Sequence, residues 1–199
     1  GFKIRKDPRK HDASVDIPLI SRVTFMRPQH IPKLVESGTY DLGVCGFDCV
    51  MEGEATVAFV TPLSVGRGTS NGEAKVVLVT GEGNTEAEVS QGSVILSEYP
   101  NITRGAFGDR VDVRFSYGGT EAHIPSDYQY GVCLTDTGES LAKNQLRVVR
   151  VLLPTYTALI ANTSAWNGEK AEVIKIVHYL LLGALQAREK VLLKMNVVA

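Results

Sequence analysis

The stretch Thr135-Asp136-Thr137-Gly138-Glu139-Ser140-Leu141 places three hydroxyls and a glycine between an apolar run and a helical start. A turn of that composition converges backbone N–H donors and hydroxyls on one point, and phosphate is the usual guest of such a turn. Asp136 and Glu139 oppose that reading unless they turn away or meet Mg²⁺ or sugar hydroxyls. The same residues also suit a capped helix start with Thr137 or Asp136 as N-cap. A second candidate is Asp48, which follows Gly46 and Phe47 at the end of the apolar stretch Leu42 to Cys45. In open α/β sheets ligands bind at the C-terminal ends of strands, which is where this carboxylate falls. The cysteines Cys45, Cys49 and Cys133 form no CxxC pair and have no flanking histidine. Reduced, mostly buried thiols are expected of them rather than a zinc site.

The elements around these residues alternate short apolar strands with helical segments, the pattern of an α/β protein with largely parallel sheets. Strands are expected at Arg22 to Met26, Leu42 to Cys45, Val76 to Val79, Val94 to Ser97, Val111 to Ser116, Gly131 to Leu134, Arg147 to Leu153 and Thr157 to Ala161. A short helix fits Ile31 to Ser37, with Pro32 in its first turn and Gly38 just past its end. Between Glu169 and Arg188, Val173, Val177, Leu180, Leu181 and Ala184 recur at helical spacing and bury one stripe. His178 lies at the boundary of that stripe and is not read as a ligand. The basic opening residues Lys3, Arg5, Lys6, Arg9 and Lys10 read as a solvated strand edge rather than an arm for polyanions. VGRGTSNGEAK contains GxG but opens no helix, so it reads as a flexible connection between strands. TGEGNTE reads as a hinge between two lobes.

The chain has 199 residues, 44% of them hydrophobic and 22% charged. That composition is globular and large enough for two lobes with cores of their own. The formal net charge of −1 gives no general attraction to nucleic acid or acidic membranes, so any anion site must be local. No apolar run approaches the ~20 residues needed to span a bilayer, and the opening residues lack the apolar centre of a secretory signal. A cytoplasmic location is expected.

Five stretches, MRPQHIPKLVESGTYDLGVCGFD, SEYPNITR, FSYGGTEAHIP, TDTGESLAKN and LLKMNV, occur in order between residues 26 and 197. In these the chain resembles the ATP phosphoribosyltransferases that open histidine biosynthesis. The resemblance implies an α/β fold of two lobes like a periplasmic binding protein of type II, with the active site in the inter-lobe cleft. Residues 1–82 and 163–199 are expected to form lobe I, and 83–162 lobe II with the phosphate loop. The implied reaction is attack of N1 of ATP on C1 of phosphoribosyl pyrophosphate, with Mg²⁺ on the departing pyrophosphate. Such a displacement mainly needs both substrates positioned and their charge managed, and no covalent nucleophile is required.

Carried over residue by residue, the resemblance makes Cys133, Thr135, Asp136, Thr137, Gly138, Glu139 and Ser140 the phosphoribosyl pyrophosphate site. Glu121 is similar to a family glutamate beside the ribose and is the catalytic candidate. Asp41, Gly46, Asp48 and Tyr99 match positions associated with the adenosine nucleotide; a turn aspartate and a core-edge tyrosine are the alternatives for those residue types. A dimer-based homo-oligomer is implied, with a histidyl-tRNA-synthetase-like regulatory subunit as a possible partner.

The chain departs from the family pattern at four places. Gln129 and Cys133 stand where a pattern like DAIVDVTETG carries aspartates, and His30 replaces the aspartate of RPQD. The family's opening strand with its basic turn lies upstream of this chain's first residue, and the family continues past Ala199, so a fragment or a pared-down relative is expected, with an open sheet edge for a partner or a second copy to fill. Two rival functions follow from these departures: a cleft that binds a nucleotide or small anion without turning it over, and a subunit that works only with a regulatory partner.

Overall fold

The computed structural model describes residues 3–63, 74–84 and 89–187. The stretch LLKMNV, most of VGRGTSNGEAK and the end of TGEGNTE lie outside the described residues. Three sheets organise the chain. An exposed antiparallel hairpin, β1 (Ile4–Lys6) with β2 (Asp12–Val15), is extended by the short β3 (Val23–Thr24). Arg5 and Lys6 thus sit on a solvated strand, with Lys3, Arg9 and Lys10 exposed beside it.

The second sheet has β11 (Thr157–Ala161) at its centre, antiparallel to both β4 (Leu42–Gly46) and β5 (Ala58–Leu63). Ala158 to Ala161 are each at most 1% exposed, which is why β11 reads as a continuous apolar run rather than an alternating one. Helices α1 (Ile31–Glu36) and α2 (Phe47–Glu52) cover it, with Val35, Cys45, Cys49, Val50, Ala158 and Ile160 as the core. Gly38 takes φ +76° just past α1, a left-handed position that glycine fills without penalty.

The third sheet has five strands in the order β10-β6-β9-β7-β8, comprising β6 (Ala74–Gly81), β7 (Val94–Ser97), β8 (Asp112–Phe115), β9 (Tyr130–Thr135) and β10 (Leu146–Thr155). The expectation of largely parallel sheets is corrected here. Strand β7 runs parallel to β8 and β9, but β6 is antiparallel to both β9 and β10. Apolar runs reveal strands and not their directions, so the sequence pattern could not distinguish the two. One face of this sheet packs under α3 (Pro100–Phe107) around Val76, Leu78, Ile95, Tyr130 and Val132. The other packs Val77, Val79 and Cys133 against Ile124 and against Leu141 of α4 (Glu139–Lys143). The chain ends its described part with α5 (Thr163–Asn167) and α6 (Ala171–Ala187), the latter burying Ile174 and Val177.

Strand pairing shows where the chain crosses between the second and third sheets. One crossing lies between β5 and β6, and the other at Tyr156 between β10 and β11. Residues 74–81 therefore pair with the third sheet, and 157–161 with the second. TGEGNTE joins two strands of one sheet and is not a hinge between lobes. A glycine-rich composition marks a turn but does not say what the turn connects.

Close approach fixes Gly131 of β9. A Cβ there would meet Thr120 Cγ2 at 2.8 Å and Ile124 Cγ1 at 2.9 Å. Gly131→Ala is expected to destabilise the fold by about 1–3 kcal/mol in urea denaturation, as overpacking does. A loss within the noise of that measurement would show that the 120–124 turn yields freely.

Candidate active site

Register places the candidate residues on a common edge. The C-terminal ends of β7, β8, β9 and β10 and the start of β6 lie together, because Ser97 pairs with Val132 and Phe115, Lys75 with Thr135, and Ala74 with Thr155. The C-terminal ends of β4 and β5 meet the same crossing, since Thr157 pairs with both Gly46 and Leu63. Two groups of side chains occupy this region, one on each face of the third sheet.

The first group links the sheets on the α3 face. Asp48, in the first turn of α2 and only 5% exposed, accepts a hydrogen bond from Thr155 Oγ1 at 2.8 Å and one from the Tyr99 hydroxyl at 3.0 Å. The Asp48 amide donates to Thr155 Oγ1 at 2.9 Å, and the Phe47 amide to the Tyr156 carbonyl at 2.8 Å. The Phe47 and Tyr156 rings stack with centroids 5.3 Å apart. Gly46 leaves the space that the folded-back Asp48 carboxylate fills; a Cβ there would collide with Asp48 Oδ1. Burial, then the Asp48 charge, pushes the Tyr99 phenol well above its ordinary value. Burial and the same charge push Cys45 up to about 12, and Cys49 is raised for the same reasons.

Beside this group Glu52 of α2 reaches the start of α3. Its carboxylate accepts from the Asn101 amide at 3.0 and 3.1 Å and from the Ile102 amide at 3.0 Å, while Asn101 Nδ2 donates to the Glu52 carbonyl at 2.8 Å. A carboxylate at a helix N-terminus satisfies orphan N–H groups and meets the positive end of the helix dipole. Burial raises the Glu52 carboxyl, and the bonds from Asn101 and Ile102 work against that rise. Sequence reading missed Glu52, because nothing local connects it to a helix 49 residues away.

The second group lies on the α4 face. After β9, Gly138 takes φ +78° and ψ 0° and stands at the N-cap of α4. Neither Thr137 nor Asp136 occupies that position, although Thr137 Oγ1 accepts from the Glu139 amide at 3.4 Å. Thr135, Asp136 and Gly138 are half-buried, and Thr137, Glu139 and Ser140 are exposed. Ser140 Oγ donates to Glu121 Oε1 at 3.1 Å, which joins the predicted phosphate loop to the predicted ribose-side glutamate. Cys133, 1% exposed, has its thiol pushed up to about 12 by burial first and then by the charges of Glu121 and Glu98. It is neither a strong acceptor nor a nucleophile.

Asp41 does not join either group. It precedes β4 while Gly46 ends it, which separates the two by about 16 Å of extended chain. Its carboxylate is held by Lys170 Nζ at 2.8 Å, just before α6. The structure thus sets Asp41 apart from Gly46, Asp48 and Tyr99, the residues grouped with it as matches to the adenosine-nucleotide positions, because a whole strand intervenes.

Sequence reading also missed Lys75. Directly opposite Thr135 across the β6–β9 ladder, it shares that residue's face of the sheet and is exposed, and its side chain makes no hydrogen bond or ion pair among the described residues. The available signal was its place just ahead of Val76 to Val79, which becomes informative only with the register known.

Two sheets joined by paired crossings, with polar side chains gathered where forward strands end, define a two-lobed α/β protein of the periplasmic-binding-protein type. Solved structures agree. The ATP phosphoribosyl transferase (HisG:HisZ) complex from Thermotoga maritima superposes with a TM-score of 0.78 at 19% identity, covering 94% of this chain and 88% of that one. A truncated, arginine-bound arginine-binding protein from T. maritima gives 0.52 at 13% identity over 81% of this chain and 76% of that one. These likenesses concern the fold. The ATP phosphoribosyltransferase family model matches residues 27–181. The ATP phosphoribosyltransferase of Pelotomaculum thermopropionicum is 36% identical over 202 residues, spanning 99% of this chain and 70% of the relative. That of Desulforudis audaxviator is 36% identical over 203 residues with the same shares. The chain belongs to the ATP phosphoribosyltransferase family, enzymes of the glycosyl-transfer class.

Proposed function

We propose that this chain joins phosphoribosyl pyrophosphate to ATP at the edge described above. The bond between C1 and the pyrophosphate oxygen breaks, pyrophosphate leaves with the electron pair, and N1 of the adenine supplies the pair for the new C1–N1 bond. The observation that carries this reading is the 3.1 Å bond between Ser140 and Glu121, which puts a carboxylate for sugar hydroxyls beside a hydroxyl- and glycine-bearing turn for a phosphate. Thr135, Thr137, Gly138 and Ser140 bind the 5′-phosphate, with Asp136 turned toward the sugar hydroxyls. Glu139 is drawn off by Lys143 at 2.8 Å. Cys133 floors the site. Gly46, Asp48 and Tyr99 support the adenosine side, the latter two by fixing the strand ends rather than by presenting free polar groups.

Among the described residues no three His, Cys, Asp or Glu side chains are grouped to hold a metal ion. Mg²⁺ carried on substrate phosphates needs few protein ligands, so the residues present fit a metal that enters with phosphoribosyl pyrophosphate. When bound it neutralises charge on the departing pyrophosphate. Glu121 orients the ribose, and the loop amides and hydroxyls hold the phosphate.

The family reading also suggests a cytoplasmic enzyme that assembles as a homo-oligomer. Among the described residues no helix is long and apolar enough to cross a membrane. The T. maritima structure is a HisG:HisZ complex, and its likeness to this chain suggests a subunit of the HisZ kind as regulatory partner.

The test is calorimetric titration with phosphoribosyl pyrophosphate and Mg²⁺, then ATP, followed by an assay of pyrophosphate release. Wild type is expected to bind both and turn over. Glu121→Gln is expected to keep ATP affinity and lose about 10²-fold in kcat/KM, in line with removal of one charge-assisted contact that tightens in the transition state. Binding of both substrates without pyrophosphate release would instead support a non-catalytic nucleotide-binding relative.

A further inference from the structure

The residue after β7, Glu98, occupies the same face as the predicted ribose-side glutamate. Its amide donates to the Val132 carbonyl at 3.1 Å, which seats Glu98 alongside Cys133 on the neighbouring strand. Its Oε1 accepts from the Thr120 amide at 3.3 Å and the Thr120 hydroxyl at 2.9 Å. Thr120 is itself fully buried, and its hydroxyl contacts Ser116 Oγ at 3.0 Å, so the anchor is rigid. Oε2 makes no hydrogen bond among the described residues. Glu98 is half-buried and Oε2 reaches solvent, which leaves it open to an incoming hydroxyl. One residue along from the anchor stands Glu121, bonded to the phosphate loop through Ser140.

We propose that Glu98 is a second carboxylate of the phosphoribosyl site, accepting a pentose hydroxyl beside Glu121. The inference rests on the phosphoribosyl reading above and adds to it the residue that supplies an acceptor where Cys133 has none. A carboxylate repels phosphate and attracts hydroxyl donors, so its ligand is the sugar and not the phosphate. The charge of Glu98 is felt at the Cys133 thiol together with that of Glu121, which agrees with both carboxylates facing the same spot. An aspartate at position 133 would offer its oxygens to that spot as well.

The experiment is calorimetric titration of the full chain with ribose 5-phosphate and with its 2-deoxy and 3-deoxy analogues. Wild type is expected to prefer ribose 5-phosphate over at least one analogue by roughly tenfold, as loss of a charge-assisted bond predicts. In Glu98→Gln, which can still accept from Thr120, that preference should fall to about twofold with affinity for the disfavoured analogue little changed. Adding Cys133→Asp to Glu98→Gln should restore discrimination. A folded Glu98→Gln protein with the wild-type preference overturns the proposal. If Glu98→Gln does not fold, Cys133→Asp alone decides: with Glu98 already serving, discrimination stays near wild type, and a rise of about tenfold shows that the role was vacant and overturns the proposal. Wild type that binds neither ribose 5-phosphate nor phosphoribosyl pyrophosphate overturns the phosphoribosyl reading along with it, whereas loss of the Glu98 effect alone leaves that reading standing.

Discussion

Asp48→Ala is expected to lower stability by about 2–4 kcal/mol and to cut turnover by at least about tenfold, because it leaves buried hydroxyls on two elements without their shared acceptor. The Thr155 and Tyr99 hydroxyls both end on this one carboxylate, which α2 of the second sheet offers to two strand ends of the third. Removing it takes away both side-chain bonds from α2 in one step, while the amide of residue 48 still donates to Thr155 Oγ1. Asp48→Asn keeps the shape and should fall between, since its amide can accept from Thr155 and donate to the Tyr99 oxygen but gives up the charge. The phenol of Tyr99 reports on the change independently of stability. Burial is the larger cause of its raised pKa and the Asp48 charge the next, so in Asp48→Asn it should titrate at lower pH than in wild type while staying above an ordinary tyrosine. Urea denaturation and alkaline absorbance titration measure the two effects. Equal stability of Asp48→Ala and wild type would show that the sheets are held together without this link.

How far the sequence reveals this arrangement depends on whether a feature is local. Strands β7 and β11 are legible residue for residue, because Val94 to Ser97 and Thr157 to Ala161 are compact apolar runs bounded by turn formers. The turn at 135–140, proposed above to hold a phosphate, is legible as a loop of hydroxyls and a glycine for the same reason: its residues are adjacent in sequence. The Asp48 group is not. Its members are separated by 51 and 107 positions, and only the crossing at Tyr156 brings Thr155 to α2. Asp41 shows the converse. Close in sequence to Asp48, it is carried to the far end by the strand between them and spends its charge on Lys170. The mixed direction of the third sheet was also hidden, since Val76 to Val79 is buried on both faces and such a run looks the same in either direction.

Lys75 follows from that sheet direction and carries the second large effect. An antiparallel partner directly opposite Thr135 projects from the same face of the sheet, within reach of whatever the 135–140 turn holds. The turn itself carries Asp136 and Glu139, and the lysine nearest in sequence, Lys143, is engaged with Glu139 at 2.8 Å. A phosphate at the turn therefore needs a cation from elsewhere, and Lys75 is exposed and unengaged among the described residues. Lys75→Met keeps the aliphatic stem and removes only the charge. It is expected to weaken phosphoribosyl pyrophosphate binding by about 10–100-fold, the value of one charge-assisted contact, while ATP affinity and urea stability change little. Lys75→Arg should retain most of the affinity, because a point charge on a flexible stem can be replaced by another cation where no fixed fork geometry is demanded. Wild-type affinity should decline with added salt more steeply than that of Lys75→Met, since one fewer charge pair is screened in the variant. Equal affinity and equal salt dependence of the two proteins would show that Lys75 does not meet the phosphate, and that the charge of a phosphate at the 135–140 turn is balanced without β6.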